Sequence, residues 1–233
     1  MDLARKATAE AVGTALLVAI VVGSGIFAAR LSPTDAGLQL LENAAATGAG
    51  LVALILCFAS VSGAHLNPVV SLADRLFGGL SSKELAWYIP AQVAGGCVGA
   101  VVANLMFDLP AVTASHHHRS GGGLWLGEAV ATFGLVLVIL GVVRSGRSTA
   151  APFAVGGYIA AAYWFTSSTS FANPAVTVGR SLTDTFAGIQ PSSVPAFVGF
   201  QVIGALLAVA LARFLFPDLR HPALVVPHEV EES

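Results

Sequence analysis

Two tripeptides, Asn67-Pro68-Val69 and Asn173-Pro174-Ala175, stand in stretches that are otherwise apolar. Asn carries an amide that needs hydrogen-bond partners, and Pro cannot continue a helix from upstream. Pro does suit the first turn of a helix, and Asn suits the position just before it. Each pair therefore reads as a helix start. A helix N-terminus exposes unpaired N–H groups and about half a positive charge. Two such ends facing one space make a positive, donor-rich centre. It repels cations, hydronium included, and offers hydrogen bonds to neutral hydroxyl-bearing molecules. Asn67 and Asn173 can cap these ends and still direct amide N–H groups into the space between them. The chemistry needs no nucleophile, cofactor, metal or energy source.

The elements that hold these pairs must lie in a membrane. The chain has 233 residues, 55% hydrophobic and 10% charged, with mean hydropathy +0.79. A soluble domain carries about 25% charged residues. Six segments come close to the ~20 residues that cross the hydrocarbon. They run roughly over 8–29, 43–63, 83–107, 123–143, 150–168 and 193–216. Two shorter pieces, about 67–78 and 173–184, each begin with Asn-Pro. They read as re-entrant half-helices, tolerated at membrane depth only where protein or a watery cavity surrounds them. The expected fold is an all-α membrane bundle, a single domain over residues 1–220. A tail over 221–233 is expected to be disordered and cytoplasmic. The apolar stretch after Met1–Lys6 runs on as a full span, so no cleavable signal peptide is read there.

The halves repeat each other. Glu10-Ala-Val-Gly-Thr14 matches Glu128-Ala-Val-Ala-Thr132, and His65-Leu-Asn-Pro-Val-Val-Ser71 matches Phe171-Ala-Asn-Pro-Ala-Val-Thr177. The repeats span about 7–107 and 123–216. Three spans per half give the halves opposite orientations, an inverted repeat in which the half-helices meet near the midplane. Arg5, Lys6, Arg75, Lys83, Arg144, Arg147, Arg213 and Arg220 fall on one side, and Arg30, Arg119 and Arg180 on the other. This bias places both termini in the cytoplasm.

The segment Ser62-Gly-Ala-His-Leu-Asn-Pro-Val-Val70, the segment Phe171-Ala-Asn-Pro-Ala175, the six spans and the paired Glu residues together resemble the aquaporin / major intrinsic protein family. The likeness covers about residues 7–216. It implies a homotetramer with one pore per subunit and passive passage of small neutral solutes, by pore diameter, lining donors and half-helix dipoles. The run from Phe171 to Ile189 is similar to bacterial aquaglyceroporin-type members associated with arsenic resistance. In most members an Arg follows the second Asn-Pro-Ala and forms one wall of an outer constriction. Here that position is Val176, and Arg180, four residues on, is not read as its substitute. Offsets from the motifs place the other constriction positions at Thr47, Ser170 and either Tyr163 or Ala161. Tyr163 is preferred, because a two-residue deletion inside a packed helix would turn its face by about 200°. Such a constriction lacks the Arg charge and the usual aromatic ring of the second span. It is expected to pass water together with glycerol-like polyols and undissociated arsenous or antimonous acid.

Other polar residues are read more plainly. Glu10 and Glu128 are intramembrane carboxylates, which by default mark function; here the expected role is to accept hydrogen bonds from the re-entrant loops. His65 is expected as a packed loop residue rather than a protonation gate. His116-His117-His118 reads as solvated loop, with no metal site. Cys57 and Cys97 read as buried small hydrophobes, and Trp87, Tyr88 and Trp125 as interfacial anchors. Gly95-Gly96, Gly99 and Gly156-Gly157 read as close helix contacts. The expected partners are neutral solutes and membrane lipid, with no nucleic acid and no cofactor, in a bacterial cytoplasmic membrane. An inverted repeat also serves secondary active transporters. That alternative needs a coupling-ion site, for which Glu10 and Glu128 would be the candidates.

Overall fold

The computed structural model describes residues 2–217, so the 221–233 tail lies outside the described residues. Eight α-helices follow in order: α1 (Leu3–Leu31), α2 (Ala36–Ser62), α3 (Pro68–Phe77), α4 (Ser82–Met106), α5 (Gly122–Arg144), α6 (Ala151–Phe165), α7 (Pro174–Arg180) and α8 (Val194–Leu215). Five of them, α1, α2, α4, α5 and α8, are long and apolar enough to cross a membrane. The ends of α1 and α8 that carry the chain termini define a terminal face; the opposite end is the far face. Lys6 meets Glu84 at 2.8 Å on the terminal face, and Arg30 donates to the Phe107 carbonyl at 2.8 Å on the far face.

The fifth span is shorter than its sequence suggests. α6 has 15 residues, about 22 Å of helix against a hydrocarbon core of ~30 Å. A 3-10 turn over Ser148–Ala150 precedes it. Thr166 closes it, folding its hydroxyl back on the Ala162 carbonyl at 2.7 Å. The chain then leaves helical geometry and descends to Asn173. The second half-helix is also shorter: α7 has seven residues and ends at Arg180, not at 184. The chain beyond it is captured by its surroundings. Leu182 and Ser181 carbonyls accept from Thr113 and Ser115 N–H groups at 3.0 and 3.1 Å, and the Thr183 hydroxyl donates to Asn104 Oδ1 at 2.7 Å.

The two halves are built alike, as span, span, half-helix, span. α1 packs on α4 and α2, α5 packs on α8 and α6, and α2 meets α6 across the halves. Small residues set these approaches. A Cβ on Gly95 or Gly99 would lie 2.1 Å from the Ala11 or Ala15 carbonyl oxygen of α1, and one on Gly204 2.3 Å from the Ala129 oxygen of α5. Gly48 and Gly156 bring α2 and α6 together in the same way, whereas Gly157 faces open space. Large apolar side chains such as Phe27, Leu56, Trp87, Leu126 and Phe214 point outward, as a lipid-facing surface requires.

Two expectations fail here. Tyr88 is fully buried, not interfacial; its hydroxyl donates to the Ser62 carbonyl at 2.8 Å and its ring meets His65 edge-on. An α4 position one helical turn from Gln92 faces the protein interior, and the phenol finds a carbonyl there. Trp125 is half-buried and stacks on Phe200. Cys57 is exposed on the outer surface of α2 and Cys97 is half-buried; both are free.

Candidate functional site

The loops before the two Asn-Pro pairs are held by carboxylates at bundle depth. Glu10 accepts from the backbone N–H groups of His65 at 3.0 Å and Leu66 at 2.6 Å, and from Ser62 Oγ and Gln92 Nε2 at 2.6 and 2.7 Å. Glu128 accepts from the N–H groups of Phe171 at 2.8 Å and Ala172 at 2.9 Å, and from Gln201 Nε2. Both loops alternate left-handed residues: Ala64 and Leu66 have φ +48° and +49°, and Ser170 and Ala172 have +51° and +47°. Non-glycine residues take this conformation at a cost of roughly 1–3 kcal/mol each. The carboxylate hydrogen bonds offset that cost. Glu10 and Glu128 are thus saturated by N–H and O–H donors, which leaves little of the coupling-ion site a transporter would need.

At the midplane the two Asn residues cross over. Asn67 Oδ1 accepts from Val69 N–H at 3.1 Å, and Asn173 Oδ1 from Ala175 and Val176 N–H at 3.0 and 3.3 Å. Each side-chain oxygen therefore caps its own half-helix. Asn67 Nδ2 donates to the Ala172 carbonyl and Asn173 Nδ2 to the Leu66 carbonyl, both at 2.8 Å. Each amide spends one N–H on the opposite loop and has a second to offer.

A cavity of about 650 Å3, mouths included, runs past this crossing. Asn67, Asn173, His65, Thr47, Tyr163, Ser170 and Val176 all line it. The lining also includes the aliphatic side chains of Leu135, Ile139, Val155 and Ile159. Tyr163 is buried and its hydroxyl lies 3.2 Å from Thr47 Oγ1. Ala161 is exposed on the outside of α6, away from the cavity. Of the two span-five candidates, Tyr163 is the lining residue.

His65 is buried, with Nδ1 3.1 Å from Ser71 Oγ and Nε2 3.7 Å from Asp74 Oδ2. The three-histidine run is less free than its sequence suggests. Its members are exposed, yet His116 N–H donates to Asp184 Oδ1 at 2.9 Å and its Nδ1 lies 2.9 Å from Asp184 Oδ2. No group of three metal-binding side chains occurs among the described residues.

The sequence reading missed Arg180 as a lining residue. It is buried and lines the cavity. Its spacing was the available signal: four residues after Val176 is one helical turn, hence the same helix face. Gln92 and Gln201 were also missed. Each is an amide in an apolar span, fully buried, which by itself signals an internal partner.

A sequence profile of the Major intrinsic protein family matches residues 1–170. The chain belongs to the major intrinsic protein family. It is an integral membrane protein and a passive channel for small neutral solutes, not an enzyme. It is 52% identical over 219 residues to "Aquaglyceroporin AqpS" of Rhizobium meliloti (strain 1021), covering 94% of this chain and 93% of that protein. It is 34% identical over 270 residues to "Glycerol uptake facilitator protein" of Pseudomonas aeruginosa, covering 97% and 95%. Among solved structures, the aquaglyceroporin from Plasmodium falciparum superposes with TM-score 0.74 over 94% of this chain and 99% of that one, at 22% identity. That likeness shows the fold.

Proposed function

We propose that this major intrinsic protein conducts water together with glycerol-like polyols, and undissociated arsenous or antimonous acid. The observation that carries this reading is a cavity lining that mixes hydroxyls with aliphatic side chains. Thr47, Tyr163 and Ser170 bring hydroxyls to the lining, and Leu135, Ile139, Val155 and Ile159 bring aliphatic surface beside them. A polyol has one hydroxyl edge and one C–H edge, and matches both. Arsenous acid presents three hydroxyls in a similar volume. Asn67 and Asn173 orient the solute at the crossing, and Val176 leaves the far-face half wider than an arginine there would. The names of the two relatives, an aquaglyceroporin and a glycerol uptake facilitator, point the same way. The protein works as a homotetramer with one pore per subunit, in a bacterial cytoplasmic membrane, with the terminal face in the cytoplasm. The charge bias supports this orientation.

Stopped-flow light scattering on proteoliposomes tests the reading with water, glycerol and arsenous acid. The expected result is passage of all three by the wild type. Val176→Arg should cut the two larger solutes about tenfold, the factor that 1.4 kcal/mol of added barrier produces, while water flux persists. A wild type that passes water alone would overturn it.

A further inference from the structure

Arg180 ends α7 with a guanidinium that no carboxylate neutralises among the described residues. The side chain is 2% exposed. Its Cζ lies 3.4 Å from the centroid of the Phe171 ring, so the guanidinium plane is held on an aromatic face. Nε donates to the Ala187 carbonyl. A guanidinium carries five N–H donors; the four on its Nη atoms have no protein acceptor among the described residues. These four border the cavity, because Arg180 is part of its lining. The hydroxyl of Ser170, another residue of the lining, is buried without a partner.

The setting fixes the group in place. Arg119 reaches the same ring, its Cζ 5.2 Å from the Phe171 centroid, and donates from Nε to the Gly188 carbonyl at 2.9 Å. The Ile189 N–H donates to the Arg180 carbonyl at 3.3 Å. Phe171 packs edge-on against Phe197 at 5.1 Å. Thus ring, backbone and the loop beyond α7 all hold one cation beside the cavity, with its Nη–H groups uncommitted.

We propose that Arg180 is a specificity-determining residue: its Nη–H groups donate to acceptor oxygens of neutral solutes in the far-face half of the cavity, and its charge turns cations back there. The ligand class is a small uncharged molecule with strong acceptor oxygens, a polyol or an amide such as urea, bridging Arg180 and the Thr47–Tyr163 hydroxyl pair. Val176, one turn nearer the crossing, leaves the space in which that solute sits. The proposal rests on the channel reading above and adds the group that discriminates within it.

The test uses full-length protein in proteoliposomes, reading glycerol, urea and water permeability beside potassium and proton conductance. Arg180→Gln keeps a donor and removes the charge. The expected result is cation conductance that the wild type lacks, and a glycerol-to-water ratio altered roughly three- to tenfold, the loss of one charge-assisted hydrogen bond. The exchange variant Val176→Arg with Arg180→Val returns a guanidinium to the same wall and should restore cation exclusion; a purely structural arginine would not be rescued this way. Unchanged cation tightness and an unchanged solute ratio in a correctly assembled Arg180→Gln protein would overturn the proposal. Where Arg180→Gln does not assemble, Phe171→Leu decides: it removes the stacking surface and keeps the charge, so the solute ratio should shift, and a wild-type ratio would overturn the proposal equally. A wild type that excludes glycerol would sink the polyol reading alone, since the cation measurement still reports on Arg180.

Discussion

Around Asn67 the loop is completed by His65, Asp74 and Tyr88; around Asn173 the corresponding positions hold Phe171, Arg180 and Phe197. His65 to Asn67 to Asp74 has the same spacing as Phe171 to Asn173 to Arg180. The shared parts are the carboxylate under the loop, the left-handed residues, the capping Asn and the crossed amides. In one half an imidazole lies edge-on to Tyr88, 3.7 Å from a buried carboxylate. In the other a phenyl ring lies edge-on to Phe197 and under a guanidinium. The difference teaches where each kind of information sits. What builds the re-entrant loop is duplicated, and what meets the solute at each mouth is not.

The scaffold should therefore respond alike in both halves, and strongly. Glu10→Leu leaves four donors without their acceptor, and Glu128→Leu leaves three. Each buried orphan costs roughly 1–3 kcal/mol, against a total stability of order 5–15 kcal/mol. Both variants should lose most of the folded protein in detergent, with Glu10→Leu the worse, as read by thermal melts of the purified channel. Small losses for both would show that the loops hold their shape without the carboxylates, and the claim of a duplicated scaffold would go with them.

The duplicated part is also the part legible from sequence. Asn-Pro in apolar surroundings, Glu at matched places in two spans and six apolar runs gave the bundle, its inverted repeat and the crossing at the midplane. Those features are repeated, and repetition is visible without coordinates. What stayed hidden depends on three-dimensional neighbours that occur once. Tyr88 looked like an interfacial ring until its hydroxyl was seen on the Ser62 carbonyl. α7 stops at Arg180 because the 107–121 loop takes over the hydrogen bonding of the chain beyond it, which no local propensity encodes. Arg180 lies one helical turn beyond Val176, and that turn alone did not mark it as a substitute for the missing arginine. The stacking on Phe171 that holds it beside the cavity joins residues whose side chains meet only through the loop fold. Tyr163 was preferred over Ala161 on the cost of a deletion inside a packed helix, and the side of α6 that faces inward is what places it in the lining.

A finer asymmetry concerns the caps. Asn67 caps a ten-residue helix through one N–H, and Asn173 caps a seven-residue helix through two. A short helix has few internal bonds to fall back on. Loss of an Asn cap costs typically ~1 kcal/mol. Asn173→Ala should cost up to about 2 kcal/mol and Asn67→Ala about 1 kcal/mol, measured by denaturant or thermal unfolding. Asn173→Ala should also disturb solute selectivity, because α7 carries Val176 and Arg180. Equal costs with unaltered selectivity would mean that the protein around α7, rather than its cap, fixes that helix.

The smallest effect belongs to the far-face strap, the His116–Asp184 contact that ties the loop before α5 to the chain beyond α7. The His116 backbone N–H and then its ring hold the Asp184 carboxyl below its ordinary value, with the charges of His116 and His117 adding to this. A carboxyl depressed in the folded state binds its proton less readily there than in the unfolded chain. Its contribution is therefore complete above the ordinary carboxylate range, near pH 4, and is lost as pH falls through the lower folded value. The wild type should lose slightly more thermal stability between pH 6 and pH 3 than Asp184→Asn, whose amide does not titrate. Because the strap anchors the chain just beyond Arg180, the protection of His116 N–H from hydrogen exchange, relative to its intrinsic rate at each pH, should fall over the same acidic window in the wild type and be low throughout in Asp184→Asn. Identical acid sensitivity in the two proteins would detach the strap from the arginine it borders, leaving Phe171 and the Ala187 carbonyl to position that group alone.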